Sequence, residues 1–388
     1  MSSGPDTHRS AVDREPVRRV VQERSIIICC GSGGVGKTTT AAAFALEAAR
    51  LGRRACVVTI DPARRLANSL GLDDLSNRPT RIEGPWPGEL HALMLDPKGT
   101  FDDLIQRYSD SPEQVEDIKV NRIYRNLTGS LSGTQEYMAM EKLYELVEGG
   151  QFDLVVVDTP PTRNALDFLD APRRLTHFLE NRVFQALMKP TRAGLKFMGV
   201  AAQAVLRTIS RVAGAEIVHD AVSFFQAFEG MEEGFRNRAA RVRELLVHAD
   251  TAFILVASPR PDSVDEAVHF AGKLAESDMA VTALVVNRVQ PRFATDAELA
   301  AHSDPPAGEG GDDTALGQLI ANLRGYTEAS DREEEAYADL VSQVAPAPVY
   351  RVPLLNTDIH DVAGLGVVAD LLFEGTPPAV VGAAPGER

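Results

Sequence analysis

Cysteine and long apolar runs are scarce in this sequence, and each shortage excludes a class of protein. Three cysteines among 388 residues cannot build a disulfide framework. We therefore expect that Cys29, Cys30 and Cys56 serve as small apolar residues of the core. No run approaches the roughly 18 to 20 apolar residues that cross a membrane. Residues 1–22 are polar and aperiodic and lack an apolar signal core, so we expect a disordered tail and a cytoplasmic protein.

Basic residues are also outnumbered, because 55 acidic residues oppose 40 lysines and arginines and give a formal net charge of −15. Nucleic-acid backbones bind basic surfaces, so this balance argues against nucleic-acid binding as the main activity. The length suits one large α/β domain or two smaller ones, with enough chain for a substantial core.

What the sequence does contain is a phosphate-binding pattern between a strand and a helix. Residues 26–30 are apolar and predict a buried strand, and a glycine-rich turn leads into a helix at 38–50. The turn fits G-x-x-x-x-G-K-[ST], in which backbone N–H groups surround a phosphate, the lysine reaches outer phosphates and the hydroxyl ligates magnesium. The predicted nucleotide-binding residues are Gly33, Gly34, Val35, Gly36, Lys37, Thr38 and Thr39.

A second pattern overlaps the first, because Gly31, Gly33 and Gly36 also satisfy the dinucleotide fingerprint G-x-G-x-x-G. Asp61 ends the next strand roughly where a dinucleotide fold places its ribose-binding acid. A dinucleotide loop does not require Lys-Thr after its last glycine, whereas a phosphate-binding P-loop does. A P-loop also requires an acid after another strand, and Asp158 follows four apolar residues as a magnesium-site acid does. We therefore favour the P-loop over a dinucleotide site or a simple glycine-rich turn.

Short apolar strands alternate with helices along the chain. This rhythm predicts an α/β P-loop NTPase with a mostly parallel sheet, helices on both faces and an inserted helical subdomain. The predicted boundaries are a domain at 23–374, helical insertions at about 98–148 and 172–248, and a tail at 375–388. Further strands are predicted at 55–60, 90–95, 154–157, 252–257, 281–286 and 349–352, and later helices at 261–276, 314–343 and 361–373.

The stretches 33–39, 61–63, 158–162 and 286–288 together resemble the arsenite-pump and tail-anchored-protein-targeting ATPases, a deviant P-loop family. The resemblance covers about residues 25–372 and implies ATP and Mg²⁺ as cofactors. It implies a catalytic role for Lys37 and Asp61, with Asp61 orienting the attacking water. It further implies that Asp158 holds magnesium through water, that Thr162 belongs to the same switch segment, and that Asn287 and Pro353 contact adenine.

Two departures from that family bear on partners and ligands. Members usually carry a second lysine at the position of Ser32, which reaches the partner's nucleotide across a dimer. Serine supplies no cation, so we hypothesise a dimer with a related, lysine-bearing subunit. The sequence has neither the C-x-x-C pair that often binds zinc between subunits in the targeting ATPases nor the scattered cysteines that bind the metalloid in the arsenite pump, so thiolate binding of arsenite is not expected.

The segment 172–212 is basic, with eight lysines and arginines against one acid, and apolar residues recur in it at helical spacing. Such a layer could form a groove for a helical protein client, make a peripheral membrane contact, or be an ordinary amphipathic layer. The predicted function is Mg-dependent ATP hydrolysis that drives a dimeric switch and binds or releases a protein partner. The alternative is a low-turnover nucleotide-binding regulatory or positioning subunit of a heterodimer.

Overall fold

The computed structural model describes residues 13–375, except 62, 123, 126–133, 161–170, 172–175, 178–179, 181–219, 221–222, 225, 228–229, 295–297 and 300–314. Its strands are β1 Ile26–Cys30, β2 Arg54–Thr59, β3 Thr80–Ile82, β4 Glu89–Met94, β5 Leu154–Asp158, β6 Thr251–Ala257, β7 Val281–Val289 and β8 Val349–Pro353. Its helices include α1 Glu15–Glu23, α2 Lys37–Arg50, α3 Arg65–Ser69, α4 Pro97–Tyr108, α5 Pro112–Val120, α6 Thr134–Glu148, α7 Glu232–Val247, α8 Pro261–Glu276, α9 Ala315–Ala336, α10 Ala338–Val344 and α11 Val362–Phe373.

The strands form a single eight-stranded sheet in the order β3-β4-β2-β5-β1-β6-β7-β8. All neighbouring strands run parallel except β3, which pairs with β4 in the antiparallel direction. The central strand β1 is buried on both faces, which explains its uninterrupted apolar sequence. Because the strands are parallel, the residues that follow β1, β2, β5 and β7 meet at one edge of the sheet.

Alternate residues of β1 face two different cores. Ile27 and Cys29 pack into a core shared with α1, α2 and α11, where the rings of Phe44 and Phe373 meet edge to face at 5.1 Å. Ile26, Ile28 and Cys30 pack into the other core, which α6, α7, α8 and α10 complete. This two-residue alternation is the geometry of a strand covered on both faces.

We call α4, α5, α6 and α7 the helical layer. Its own apolar cluster, separate from the two sheet cores, includes Phe101, Ile118, Tyr137 and Phe235. Buried charges accompany this cluster, because the Arg238 Nη2 atom lies 2.5 Å from Glu141 Oε1 and both side chains are nearly inaccessible. The helical layer is therefore fixed by apolar contacts and by at least one buried ion pair.

The predicted fold class is confirmed, and each predicted strand coincides with an observed one within a few residues. The helix predicted at 261–276 has those limits as α8. The cysteines are buried as predicted, and burial raises the pKa of each thiol. Among the helices described, none has both the length and the apolar character needed to cross a membrane.

The prediction of a disordered tail at 1–22 is wrong for residues 15–22, which lie in α1. The helix is polar on average, but Val17, Val20 and Val21 are buried against the first core, because three valines on one face suffice to anchor a short helix. The short strand β3 was also missed, since three residues carry no recognisable alternation. Residues 1–12, Thr162 and almost all of the basic segment 172–212 fall outside the described residues, so the predictions made for them stay predictions.

Candidate active site

The turn between β1 and α2 requires glycine at the two ends of the P-loop pattern. Gly31 has φ +143°, and a Cβ atom there would lie 1.9 Å from the carbonyl oxygen of Val256 in β6. Gly36 has φ +95°, and its Cβ atom would lie 2.1 Å from the Asn287 amide nitrogen. The loop is thus pressed against β6 and against Asn287 near the end of β7, and only glycine fits at these points.

Lys37 begins α2 and bends back across the loop. Its Nζ atom donates a hydrogen bond to the Ser32 main-chain carbonyl over 2.7 Å, and the residue is 5 % exposed. Burial lowers the pKa of the Lys37 ammonium, while the nearby Asp158 carboxylate acts in the opposite direction. The result is a buried cation held over the turn by a neutral acceptor, beside the positive end of a helix dipole.

Asp158 ends β5, between β2 and β1, and register places it opposite both Thr59 and Cys29. Its Oδ2 atom accepts hydrogen bonds from the hydroxyls of Thr38, over 2.7 Å, and Thr59, over 2.9 Å. Its Oδ1 atom is buried and has no hydrogen-bond partner among the described residues. Burial raises the pKa of Asp158 to about 6, against the effect of the two hydroxyls and of Lys37. A buried acceptor left open in this way is ready for a ligand.

The residues present fit a magnesium ion. The open Asp158 Oδ1 atom and the Thr38 hydroxyl are oxygen donors next to the predicted phosphate loop, and oxygen donors are the ligands that Mg²⁺ prefers. No group of three or more His, Cys, Asp or Glu side chains that could hold a metal occurs in the described part of the chain. Magnesium in nucleotide sites relies on phosphates and water for most of its ligands, so one carboxylate and one hydroxyl suffice.

Asp61 follows β2 and is 7 % exposed. Its main-chain N–H donates to the Thr59 hydroxyl oxygen over 3.2 Å, so Thr59 contacts both acids of the site. Its Oδ1 atom accepts from the Ala63 main-chain N–H over 3.0 Å, and its Oδ2 atom lies 3.6 Å from Arg65 Nη1. The carboxylate is therefore held by its own turn and by an arginine one helical turn later.

Lys37, Thr38 and Asp61 line one cavity of about 240 Å³, whose lining does not include Asp158 or Val35. It is lined by Gly34, Gly36, Lys37, Thr38, Thr39, Asp61, Arg65, Ser69, Thr159 and Arg288. No role was predicted for Arg65, Ser69, Thr159 or Arg288. The positions of the two arginines could have indicated a role in the site, since Arg65 lies four residues after Asp61 and Arg288 directly follows Asn287.

Other predicted site residues lie beside this cavity and do not line it. Asn287 donates from Nδ2 to the Val35 carbonyl over 2.8 Å, and the Val35 side chain is buried in the first core. Gly33 belongs to the same loop without lining the cavity. Pro353 lines a second cavity of about 440 Å³, together with Val289 and others, so the adenine contacts proposed for Asn287 and Pro353 stay predictions.

Ser32, which replaces the family's second lysine, points into the fold. The residue is 7 % exposed, and its hydroxyl donates to the Ser263 hydroxyl in the first turn of α8 over 3.1 Å. The Ser263 oxygen also accepts from the Ser258 main-chain N–H over 2.9 Å. This position therefore ties the P-loop to α8 and presents no charge to the cavity.

Comparison with known proteins gives the same assignment as the motifs. A family model described as anion-transporting ATPase matches residues 24–302. ATPase get3 of Aspergillus niger is 24% identical over 378 residues, which are 96% of this chain and 97% of that protein. A putative arsenical pump-driving ATPase 1 of Aquifex aeolicus is 22% identical over 362 residues, 91% of this chain and 80% of that protein. ATPase get3 of Aspergillus terreus is 28% identical over 177 residues, covering 44% of this chain and 51% of that protein.

Proposed function

The chain belongs to the anion-transporting ATPase family and is an ATPase, and we propose that its hydrolysis of ATP is magnesium-dependent and drives a dimeric switch that binds or releases a protein partner. The observation that carries the proposal is the Asp158 carboxylate, buried at the P-loop with one oxygen bonded to Thr38 and the other open. Thr38, which bonds to Asp158, lines the cavity together with Lys37, so a cation and a hydroxyl bonded to a buried acid are both available to a phosphate chain and its metal.

Hydrolysis would proceed by attack of water on the terminal phosphorus. An oxygen–phosphorus bond forms as the bond to the bridging oxygen breaks, ADP leaves with the electron pair, and the water proton passes to the phosphate product. Lys37 would neutralise the outer phosphates, and Asp61, which lines the cavity, would orient the water. Asp158 and Thr38 would hold magnesium, which would supply positive charge to stabilise the phosphate oxygens.

The link from this site to the helical layer supports a switch. Asp61 directly follows Ile60, whose main-chain carbonyl accepts a hydrogen bond from the Gln135 side chain over 3.2 Å. Gln135 lies in the first turn of α6, so the segment that would respond to nucleotide touches the helical layer directly. Closure of a dimer around ATP would move this segment, and the helical layer would pass the motion to a client helix bound at 172–212, or to an anionic membrane surface.

A second candidate is a low-turnover nucleotide-binding subunit of a heterodimer. Ser32 supports it, because its side chain is buried against Ser263 and offers no cation to a partner's nucleotide. In this version a lysine-bearing paralogue would provide the missing charge, and this chain would bind ATP and respond to it while turning over little.

The test is ATP turnover by the purified chain, with Lys37→Ala as the inactive variant and Lys98→Ala as its matched control. Lys98 is an exposed lysine of α4 that pairs with Asp102, so its loss should leave turnover unchanged. Loss of Lys37 should lower turnover about 100-fold or more, as loss of a charge-stabilising donor does. Background turnover with Lys37-dependent ATP binding would support the heterodimer, and absence of ATP binding would overturn both candidates. Size-exclusion chromatography with and without ATP tests the dimer.

A further inference from the structure

Two arginines that the sequence analysis left without a role line the cavity next to Lys37. They are Arg65, in the first turn of α3, and Arg288, which follows Asn287. A site that transfers a phosphoryl group gains from more than one cation, since negative charge spreads over several phosphate oxygens. Ser32 provides none, and the structure turns its side chain away from the cavity. Arg65 and Arg288 are therefore the candidates for a second cation at the phosphate site.

The Arg288 side chain is bonded to the P-loop. Its Nη1 atom donates to the Gly34 main-chain carbonyl over 3.0 Å, which holds the guanidinium against the P-loop turn. Its backbone has φ +61°, in the left-handed region, which fixes the direction in which the chain leaves β7. These contacts suit a residue that shapes the loop.

Arg65 is placed differently. Its Nη1 atom lies 3.6 Å from Asp61 Oδ2, too far for a strong hydrogen bond, and its side chain is 53% exposed. The Asp61 side chain is only 10% exposed, but the long distance and the exposed guanidinium make the ion pair weak, so a phosphate could displace the carboxylate from Arg65 at little cost. Arg65 lines the same cavity as Lys37 and Thr38 of the P-loop, so its guanidinium faces the predicted phosphate site. Three cations, Lys37, Arg65 and Arg288, and one acid, Asp61, thus line the cavity.

We propose that Arg65 is the second cation of this active site, paired with Asp61 before nucleotide binds and with the terminal phosphate of ATP afterwards. The transfer has two consequences: the guanidinium neutralises charge on the phosphate in the transition state, and Asp61 is released to orient the water. The proposal rests on the proposed ATPase function. It also removes the need for a lysine from a partner subunit, because this chain carries the cation itself.

The test compares Arg65→Gln and Arg65→Lys with Arg64→Gln. Arg64 is the adjacent arginine, but its side chain is 61% exposed, pairs with Asp74 at 3.4 Å and does not line the cavity. Arg65→Gln should lower turnover about 100-fold, the size expected for loss of a charge-stabilising donor, while Arg64→Gln leaves it unchanged. Arg65→Lys keeps a cation without the planar fork and should retain part of the lost activity.

A binding measurement without hydrolysis separates a phosphate contact from a structural one. In the presence of a chelator, Arg65→Gln should weaken ATP binding about tenfold while ADP binding changes less than about twofold, because only ATP carries the terminal phosphate. Equal weakening of both nucleotides, or turnover of Arg65→Gln within about threefold of Arg64→Gln, would overturn the proposal and leave the ATPase function standing. Background turnover by the unmodified chain with intact ATP binding would overturn it in favour of the heterodimer. Failure to bind ATP at all would overturn the proposed function itself.

Discussion

The active site and the helical layer both bury a carboxylate and a cation, but they combine them in opposite ways. In the helical layer, Arg238 contacts Glu141 directly at 2.5 Å. In the active site, the Lys37 ammonium bonds to a neutral carbonyl and Asp158 to neutral hydroxyls. Among the described side chains these two charges do not form an ion pair, although they influence each other's pKa. Buried charges that contact each other depend on one another, so the loss of one destabilises the fold, whereas buried charges kept apart by neutral partners remain available to a ligand.

The strongest test of this difference removes the cation of the helical layer. Arg238→Met should lower the free energy of unfolding by about 3 to 5 kcal/mol, because it leaves a buried carboxylate without its nearest cation. Glu141 is 1 % exposed, and the Arg107 Nη1 atom at 3.8 Å is too distant to replace the lost hydrogen bonds. Denaturant unfolding measures the change.

The matched control is Arg241→Met, which removes an arginine one turn later on the same helix. Arg241 is 62% exposed and lies 3.7 Å from Glu148, so its loss should cost less than about 1 kcal/mol. Equal destabilisation by the two substitutions would show that the burial of Arg238 does not matter. ATP affinity of the folded Arg238→Met protein should be unchanged if the two clusters are independent.

A smaller effect is expected from the acid of the active site, and it should depend on pH. The pKa of Asp158 is raised to about 6 in the folded chain. The raised value adds stability that is complete below the pKa of the unfolded chain and is lost as the pH rises through about 6. Relative to Asp158→Asn, the nucleotide-free protein should therefore lose about 2 kcal/mol between about pH 4.5 and about pH 8. Denaturant unfolding of both proteins across that range gives the difference.

Asp153→Asn is the control, because its effect on stability should depend on pH in the opposite direction. Hydrogen bonds from Arg54 lower the pKa of Asp153, so that carboxylate should contribute stability that is lost as the pH falls. A pH-independent difference between the unmodified chain and Asp158→Asn would mean that the buried carboxylate already ionises normally in the folded protein, against the interpretation of an open ligand site.

Sequence patterns predicted the strands that carry the candidate site, because the requirements of those strands are local. The spacing from Gly31 to Thr38 and the apolar run before Asp158 are each readable within a few residues, and parallel strands then bring their ends together. The contact of Asn287 with the Val35 carbonyl and the direction of Ser32 depend on packing between distant strands and helices, and no local pattern encodes them. Helix α1 was missed for a similar reason, since its three buried valines acquire meaning only from the core they cover.

The smallest expected effect on stability concerns the contact that joins the two regions. Gln135→Leu removes the hydrogen bond to the Ile60 carbonyl and should cost only about 1 kcal/mol, the usual value for one such bond. Its larger consequence should appear in hydrogen exchange: ATP should change the protection of α6 in the unmodified chain and fail to do so in Gln135→Leu. Gln114→Leu is the control, because the hydrogen bonds that it removes, to the Ala227 carbonyl over 2.7 Å and from the Asp110 main-chain N–H over 2.8 Å, do not involve the active site. If ATP alters the protection of α6 equally in both variants, the link between active site and helical layer runs through other contacts, and Gln135 is only structural.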